Sequence, residues 1–264
     1  MRRFFLNKNS ILSGNPALTG SDVRHIRNVL RLEPGDRIMI FDGEGTEYEC
    51  KIVSISPQHI TLSMLNSTHV IRESPVCVTI AQACLKGSKM DWIIQKVTEL
   101  GVTTYIPFWA QRSVPKLDSG RAESRYHRWT KIAHEALKQC GRSVAPEIKP
   151  LSPFDEIIRS AEEYDLKIIF CTENIDGGRI ETKTGQDRVS GPDTSLKHFL
   201  DGMPKAEKII GVIGPEGGFT SAEIRAAIEC GYVQVSLGPR ILRGETAAIT
   251  VAAILQYVYG GLRS

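Results

Sequence analysis

The sequence predicts an α/β domain preceded by a smaller β-rich unit. Beyond residue 75, short, continuously apolar, β-branched runs alternate with amphipathic helical stretches, the pattern of a largely parallel sheet covered on both faces. Before residue 66, short alternating runs are separated by tight-turn residues, the pattern of a small barrel. Between them, residues 66 to 75 (Asn-Ser-Thr-His-Val-Ile-Arg-Glu-Ser-Pro) are polar and end in proline. The domains are therefore expected at 1–72 and 73–264.

In the first unit, strands are expected at 37–41, 48–55 and 60–65, broken by Asp42-Gly43-Glu44-Gly45 and Ser56-Pro57. A helix over about 22–32 is stopped by Pro34-Gly35; it turns Val23, Ile26 and Leu30 to one side, and Arg24, Arg27 and Arg31 to another. Guanidinium groups at helical spacing suit a phosphate backbone, and equally a solvated helix face.

In the second unit, strands are expected at 76–84, 103–109, 167–172, 208–213 and 233–237. A helix opening near Ser88, with Asp91 as capping-box partner, is expected to bury Trp92, Ile93, Val97 and Leu100 and to end at Gly101. A second helix over about 120–139 buries Trp129, Ile132 and Ala136 and carries much of the basic charge. Residues 175–204 lack periodicity and read as a surface insertion.

The composition, 41% hydrophobic and 24% charged, is that of an ordinary globular protein. No run approaches the roughly 18 apolar residues of a membrane span, and the start lacks an apolar signal core, so a cytoplasmic location is expected. Six scattered cysteines without a C-x-x-C pair, and no clustered histidines, argue against a zinc site or a disulfide framework; most are expected to be small core residues. Net charge is +3 overall but +6 over residues 75–150, where 12 Lys and Arg face 6 Asp and Glu. Such segregation suits a polyanion partner.

Two glycine-rich turns follow strands in the last third. The first is Ile213-Gly214-Pro215-Glu216-Gly217-Gly218-Phe219, with Thr220 and Glu223 as a capping box opening the next helix. Glycines let a ligand approach bare backbone, although a purely structural strand-to-helix turn uses them too. Neither G-x-x-x-x-G-K-[ST] nor G-x-G-x-x-G occurs here, which disfavours a nucleoside triphosphate or a dinucleotide. The second turn is Leu237-Gly238-Pro239-Arg240-Ile241-Leu242-Arg243-Gly244-Glu245-Thr246-Ala247, leading into a helix over 249–259 that is apolar almost all round, as at a subunit interface.

Residues 213–219 and 237–247 resemble the corresponding strings of the ribosomal RNA small subunit methyltransferase E family, uridine-N3 methyltransferases of the trefoil-knotted SPOUT superfamily. Supporting matches run in order through the chain: His25 with Val29-Leu30-Arg31, Gly35-Asp36, 96–102, Arg112-Ser113, Glu135-Ala136, Gln139 and Gly141-Arg142. Gly244 stands where the family usually has Thr, and Cys140 where it has Ser.

The resemblance implies a PUA-like N-terminal barrel and a knotted α/β domain that dimerises, acting with S-adenosylmethionine on 16S ribosomal RNA or the small subunit, without a metal. It implies a cofactor pocket of Thr172, Gly214, Glu216, Gly217, Gly218, Leu237, Gly238, Ile241 and Leu242, with Glu173 as an alternative to Thr172. Arg243 would stabilise a uridinate, with Glu245 orienting it or relaying the proton and Glu216 as the alternative base. RNA contacts are expected from Arg2, Arg3, Arg24, Arg27, Arg31, Arg112, Gln139 and Arg142. A related methyltransferase acting on transfer RNA or a ribose 2′-hydroxyl, and a non-catalytic ribosome-assembly RNA binder, are the competing readings.

Overall fold

A computed structural model describes residues 2–70, 72–114, 119–171, 205–260 and 262. The chain divides into two compact units, one of residues 1–73 with 134–145, the other of residues 74–133 with 146–264.

The first unit is built on a five-stranded sheet in the order β1 (Arg3–Phe5), β3 (Arg37–Phe41), β4 (Thr46–Ile55), β5 (His59–His69), β2 (Ala17–Thr19). Only β1 and β3 run parallel. Period-2 alternation sends Ile38, Ile40, Cys50, Ile52, Ile60 and Leu62 into one core, joined by Ile11 of α1 (Lys8–Leu12). The anticipated helix begins as α2 (Ser21–Arg24) and continues as a π-helical turn over His25–Leu30. Val23 and Ile26 face the core, while Arg24, Arg27 and Arg31 are exposed. Arg31 closes the turn at φ 52°, the one non-glycine with positive φ among the described residues.

Two arginines expected on RNA are instead internal here. Arg3 donates to Glu47 at 2.7 Å and to the carbonyls of Leu137 and Arg142, with its guanidinium over the Phe41 ring. Arg142, 6% exposed, meets Glu73 at 2.9 and 2.6 Å through Nε and Nη2. Glu47, which is buried, and Glu73, which is half-buried, already pair with these two guanidiniums within the first unit.

The second unit has a seven-stranded, all-parallel sheet ordered β12 (Val233–Val235), β10 (Leu166–Phe170), β11 (Lys208–Ile213), β6 (Cys77–Ala83), β7 (Thr104–Trp109), β8 (Glu147–Ile148), with β9 (Ser152–Pro153) also pairing β7. Both faces are buried, as the apolar runs require. On one, Val78, Ile80, Ile168 and Ile209 pack with α3 (Lys89–Glu99) and α7 (Gly244–Tyr259). On the other, Ala81, Ile169, Ile210 and Val212 pack with α5 (Phe154–Arg159) and α6 (Ser221–Glu229).

Three local expectations fail for identifiable reasons. Ser88 makes no side-chain cap; Asp91 is drawn instead to α4 (Ser119–Cys140), accepting from Arg128 at 2.7 Å and from the Trp129 indole at 3.2 Å. Trp92 is 47% exposed, because the buried stripe of α3 runs through Met90, Ile93, Ile94 and Val97. Of the six free cysteines only Cys50 and Cys84 are buried. The insertion at 175–204 lies outside the described residues. No helix among those described is long and apolar enough to cross a membrane.

Removing Glu73 leaves Arg142 charged without its carboxylate. Glu73→Ala is expected to cost roughly 3 kcal/mol, read as a lower urea midpoint at neutral pH; a change under about 0.5 kcal/mol would place the pair among those that contribute little.

Candidate active site

All strands of the second sheet are parallel, so their carboxyl ends lie along one edge, where open α/β sheets bind ligands. Five strands deliver loops there: β6 into residues 84–88, β7 into 110–114, β10 into Cys171, and β11 and β12 into the two glycine turns. A cavity of about 380 Å³ opens at this edge, within the range of small-molecule sites.

Both glycine turns line it. Gly214, Glu216, Gly217 and Gly218 come from the first, and Leu237, Gly238, Ile241, Leu242 and Arg243 from the second. Gly218 and Gly238 take φ of 68° and 107°, and a side chain on either would enter open space. The walls also include Phe170, Cys171, Phe219 and Arg240, which sequence reasoning did not single out. Thr172 and Glu173 lie outside the described residues.

The first turn is held by its neighbours. Gln82, fully buried on β6, donates through Nε2 to the carbonyls of Gly214 at 3.2 Å and Ala83 at 3.0 Å. Thr220 and Glu223 form the anticipated capping box at α6, and the other oxygen of Glu223 accepts from the Gln111 amide at 2.7 Å. Arg112 donates to the carbonyls of Gly217 at 3.0 Å and Phe219 at 3.4 Å. In the structure Arg112 therefore braces the cavity wall. A Cβ on Gly217 would stand 3.1 Å from that of Arg112, so the brace needs the glycine.

The second turn ends at Arg243, the N-cap of α7. The Arg243 side chain is exposed and has no hydrogen-bond or ion-pair partner among the described residues. Glu245, expected to orient Arg243, faces Lys89 through Oε2 at 3.5 Å in the structure. The same ammonium meets Glu216 at 2.9 Å. Burial alone would push the Glu216 carboxyl up; hydrogen bonds from Lys89, its own amide and the Lys86 amide outweigh it and hold the group below its ordinary value. Lys89 was missed because a lysine opening a helix carries no motif. Its signal was physical: a cation at the positive end of a helix needs a compensating partner.

A model of the RNA methyltransferase domain matches residues 72–256, and one of the RNA methyltransferase PUA domain matches 18–65. The ribosomal RNA small subunit methyltransferase E of Bacillus subtilis is 35% identical, over 97% of this chain and 96% of its own. The chain belongs to the ribosomal RNA small subunit methyltransferase E family. Another methyltransferase E, from Neisseria gonorrhoeae and solved with S-adenosyl methionine bound, is 31% identical with a TM-score of 0.78 over 98% of both chains. A Legionella pneumophila structure in complex with the cofactor SAM is 31% identical, with a TM-score of 0.81 over 98% of both chains.

Gly244, where the resemblance leads one to expect Thr, sits in tight packing. Gly244 is buried, and a Cβ there would stand 3.1 Å from both terminal methyls of Leu85.

The ion pair fixes a pH signature. The folded Glu216 carboxyl lies below its ordinary value near 4.5, so its contribution to stability is present above that value and lost as pH falls through the folded one. The Lys89 ammonium lies above 10.5, so its contribution is present below that value and lost as pH rises beyond it. The stability difference between wild type and Lys89→Met, measured by denaturant melts, is expected to be flat from about pH 5 to 10 and to shrink at both ends. A difference that is independent of pH would exclude the pair as its source.

Proposed function

We propose that this chain transfers the methyl group of S-adenosylmethionine to N3 of a uridine in 16S ribosomal RNA, as a cytoplasmic homodimer whose catalytic domain is knotted. One observation carries the reading. Two glycine turns, separated in sequence by residues 220–236, line a single cavity whose wall holds an arginine with no side-chain partner among the described residues.

The residues present fit the cofactor. Gly218 and Gly238 leave open space where any side chain would intrude, so bare backbone meets the ligand. Phe170, Leu237 and Leu242 offer apolar walls to an adenine, and Glu216 offers a carboxylate to a cationic group. Gly214, Gly217 and Ile241 complete the proposed contacts, with Thr172 as a further one from sequence. When bound, the cofactor supplies an electrophilic methyl group on a sulfonium.

The neutral imide nitrogen of uracil has its lone pair delocalised into two carbonyls, so N3 must lose its proton to become a nucleophile. Arg243 lines the cavity wall, unpaired among the described residues, and can stabilise the resulting anion at the O2 or O4 edge. The proton passes to a carboxylate: Glu216 lines the cavity, although its pairing with Lys89 weakens it as a base, and Glu245 shares that ion pair. The remaining RNA grip is assigned to Arg2, Arg24, Arg27, Arg31 and Gln139, all exposed.

Incubation with labelled S-adenosylmethionine and small ribosomal subunits should place the label on a uracil base. Label on a ribose, or on transfer RNA alone, would name a different acceptor. RNA binding without cofactor uptake would favour the assembly-factor reading. Arg243→Ala is expected to lower turnover at saturating RNA by roughly a hundredfold; a loss within about twofold would remove its electrostatic role. Cys171 also lines the cavity, whereas Cys77 is exposed elsewhere. Cofactor should therefore slow alkylation of Cys171 but not of Cys77 in peptide-mapped mass spectra. Replacing Arg24, Arg27 or Arg31 should each flatten the slope of log RNA affinity against log salt by about one.

A further inference from the structure

Lys89 in the first turn of α3, Glu216 in the turn after β11 and Glu245 in the first turn of α7 converge through ion pairs beside the cavity. Glu216 belongs to the cavity wall, as does Arg243, while Lys89 stands behind them. The arrangement is costly for helix α3, since Lys89 sits in its first turn, where the peptide dipoles present their positive end. Helix stability therefore does not account for a lysine here. Two carboxylates sharing one ammonium do: Glu216 Oε1 takes the short contact at 2.9 Å, and Glu245 Oε2 the longer one at 3.5 Å. Glu245 Oε2 is buried and accepts no hydrogen bond among the described residues, so the Lys89 charge is its main compensation.

Arg243 adjoins this cluster in sequence, two residues before Glu245, and shares the cavity wall with Glu216. In most settings a guanidinium so placed would pair with a carboxylate, because Arg forms the stronger, bidentate ion pair. Among the described residues it has no such partner.

We infer that Lys89 is a positioning residue which occupies both acids of the two turns and thereby keeps the Arg243 guanidinium unpaired, aimed at the cavity for an anionic acceptor. The inference rests on the proposed methyl transfer for its purpose, but the pairing itself is independent of any reaction. Removing the ammonium leaves Glu216 and Glu245 without their cation, and Arg243 turns inward to replace it. The acceptor anion then loses its partner although no group that touches it has been mutated.

The test compares Lys89→Met, Lys89→Arg and the double variant Lys89→Met/Glu245→Gln. A crystal structure of Lys89→Met should show the Arg243 guanidinium within about 4 Å of the Glu216 or Glu245 carboxylate. In turnover with small subunits, Lys89→Met should lose roughly tenfold or more in kcat, with little change in KM for RNA. Lys89→Arg should retain most of the rate. The double variant, with one competing carboxylate neutralised, should recover part of what the single one loses. A bare cross-link between loops predicts the opposite order, with the double variant worse than the single.

Arg243 still unpaired in the Lys89→Met crystal, or a double variant no faster than the single, overturns the inference. If wild type methylates no RNA at all, the functional reading fails, yet the crystal structure still decides whether Lys89 holds Arg243 free.

Discussion

The close approach of helix α7 to the parallel sheet is the constraint on which the site depends. Gly211 lies in the middle of β11, and a Cβ there would stand 3.1 Å from Val251 and 3.2 Å from Phe170. The absence of that one carbon lets α7 settle directly on β11. Because the helix is fixed along its length by Ala247, Ala248, Val251, Ala252 and Leu255, its first turn is fixed too. That first turn carries Glu245, and its N-cap is Arg243. The contact that builds the core thus also sets where the second glycine turn ends, and a rigid element rather than a free loop presents the charged groups.

Around this packing the hydrogen bonds form a second layer of control. Gln82 and Arg112 reach the carbonyls of the first turn from β6 and from the loop after β7. Glu223 caps its helix and takes the Gln111 amide at the same time. Three polypeptide segments distant in sequence are therefore tied at one sheet edge, and the glycines they tie are free to present backbone because side chains elsewhere do the holding. A site built in this way is stiff where it meets a ligand, which lowers the entropy lost when the ligand arrives.

Much of this was legible in the residues. Short β-branched runs such as those around Ile168 and Ile210 can be satisfied only between two apolar layers, and they are so placed. The glycine turns announced themselves by composition and by their position directly after strands, and the capping box at Thr220 formed as written. What escaped was set by partners far along the chain. Asp91 looked like a cap until Arg128 and Trp129 competed for it. Arg3 and Arg142 looked like surface charge until Glu47 and Glu73 met them inside. Lys89 carried no pattern at all, because its meaning comes from two acids well over a hundred positions later. Periodicity reports which face of an element is apolar, and it is silent about which charged groups long-range folding will bring together.

The contact between Gly244 and Leu85 carries a consequence for how this sequence can change. Threonine at position 244 would drive its branched carbon against both methyls of Leu85, with the Gly214 carbonyl at 3.6 Å behind. The two positions are coupled: a larger residue at 244 requires the Leu85 methyls to give way by a few tenths of an ångström, or a smaller residue at 85. Enlarging 244 alone tightens that contact, and shrinking 85 alone leaves a cavity. A graft that exchanges the second turn without the β6 loop changes one side of that contact and keeps the other, so the two loops are best moved as a unit.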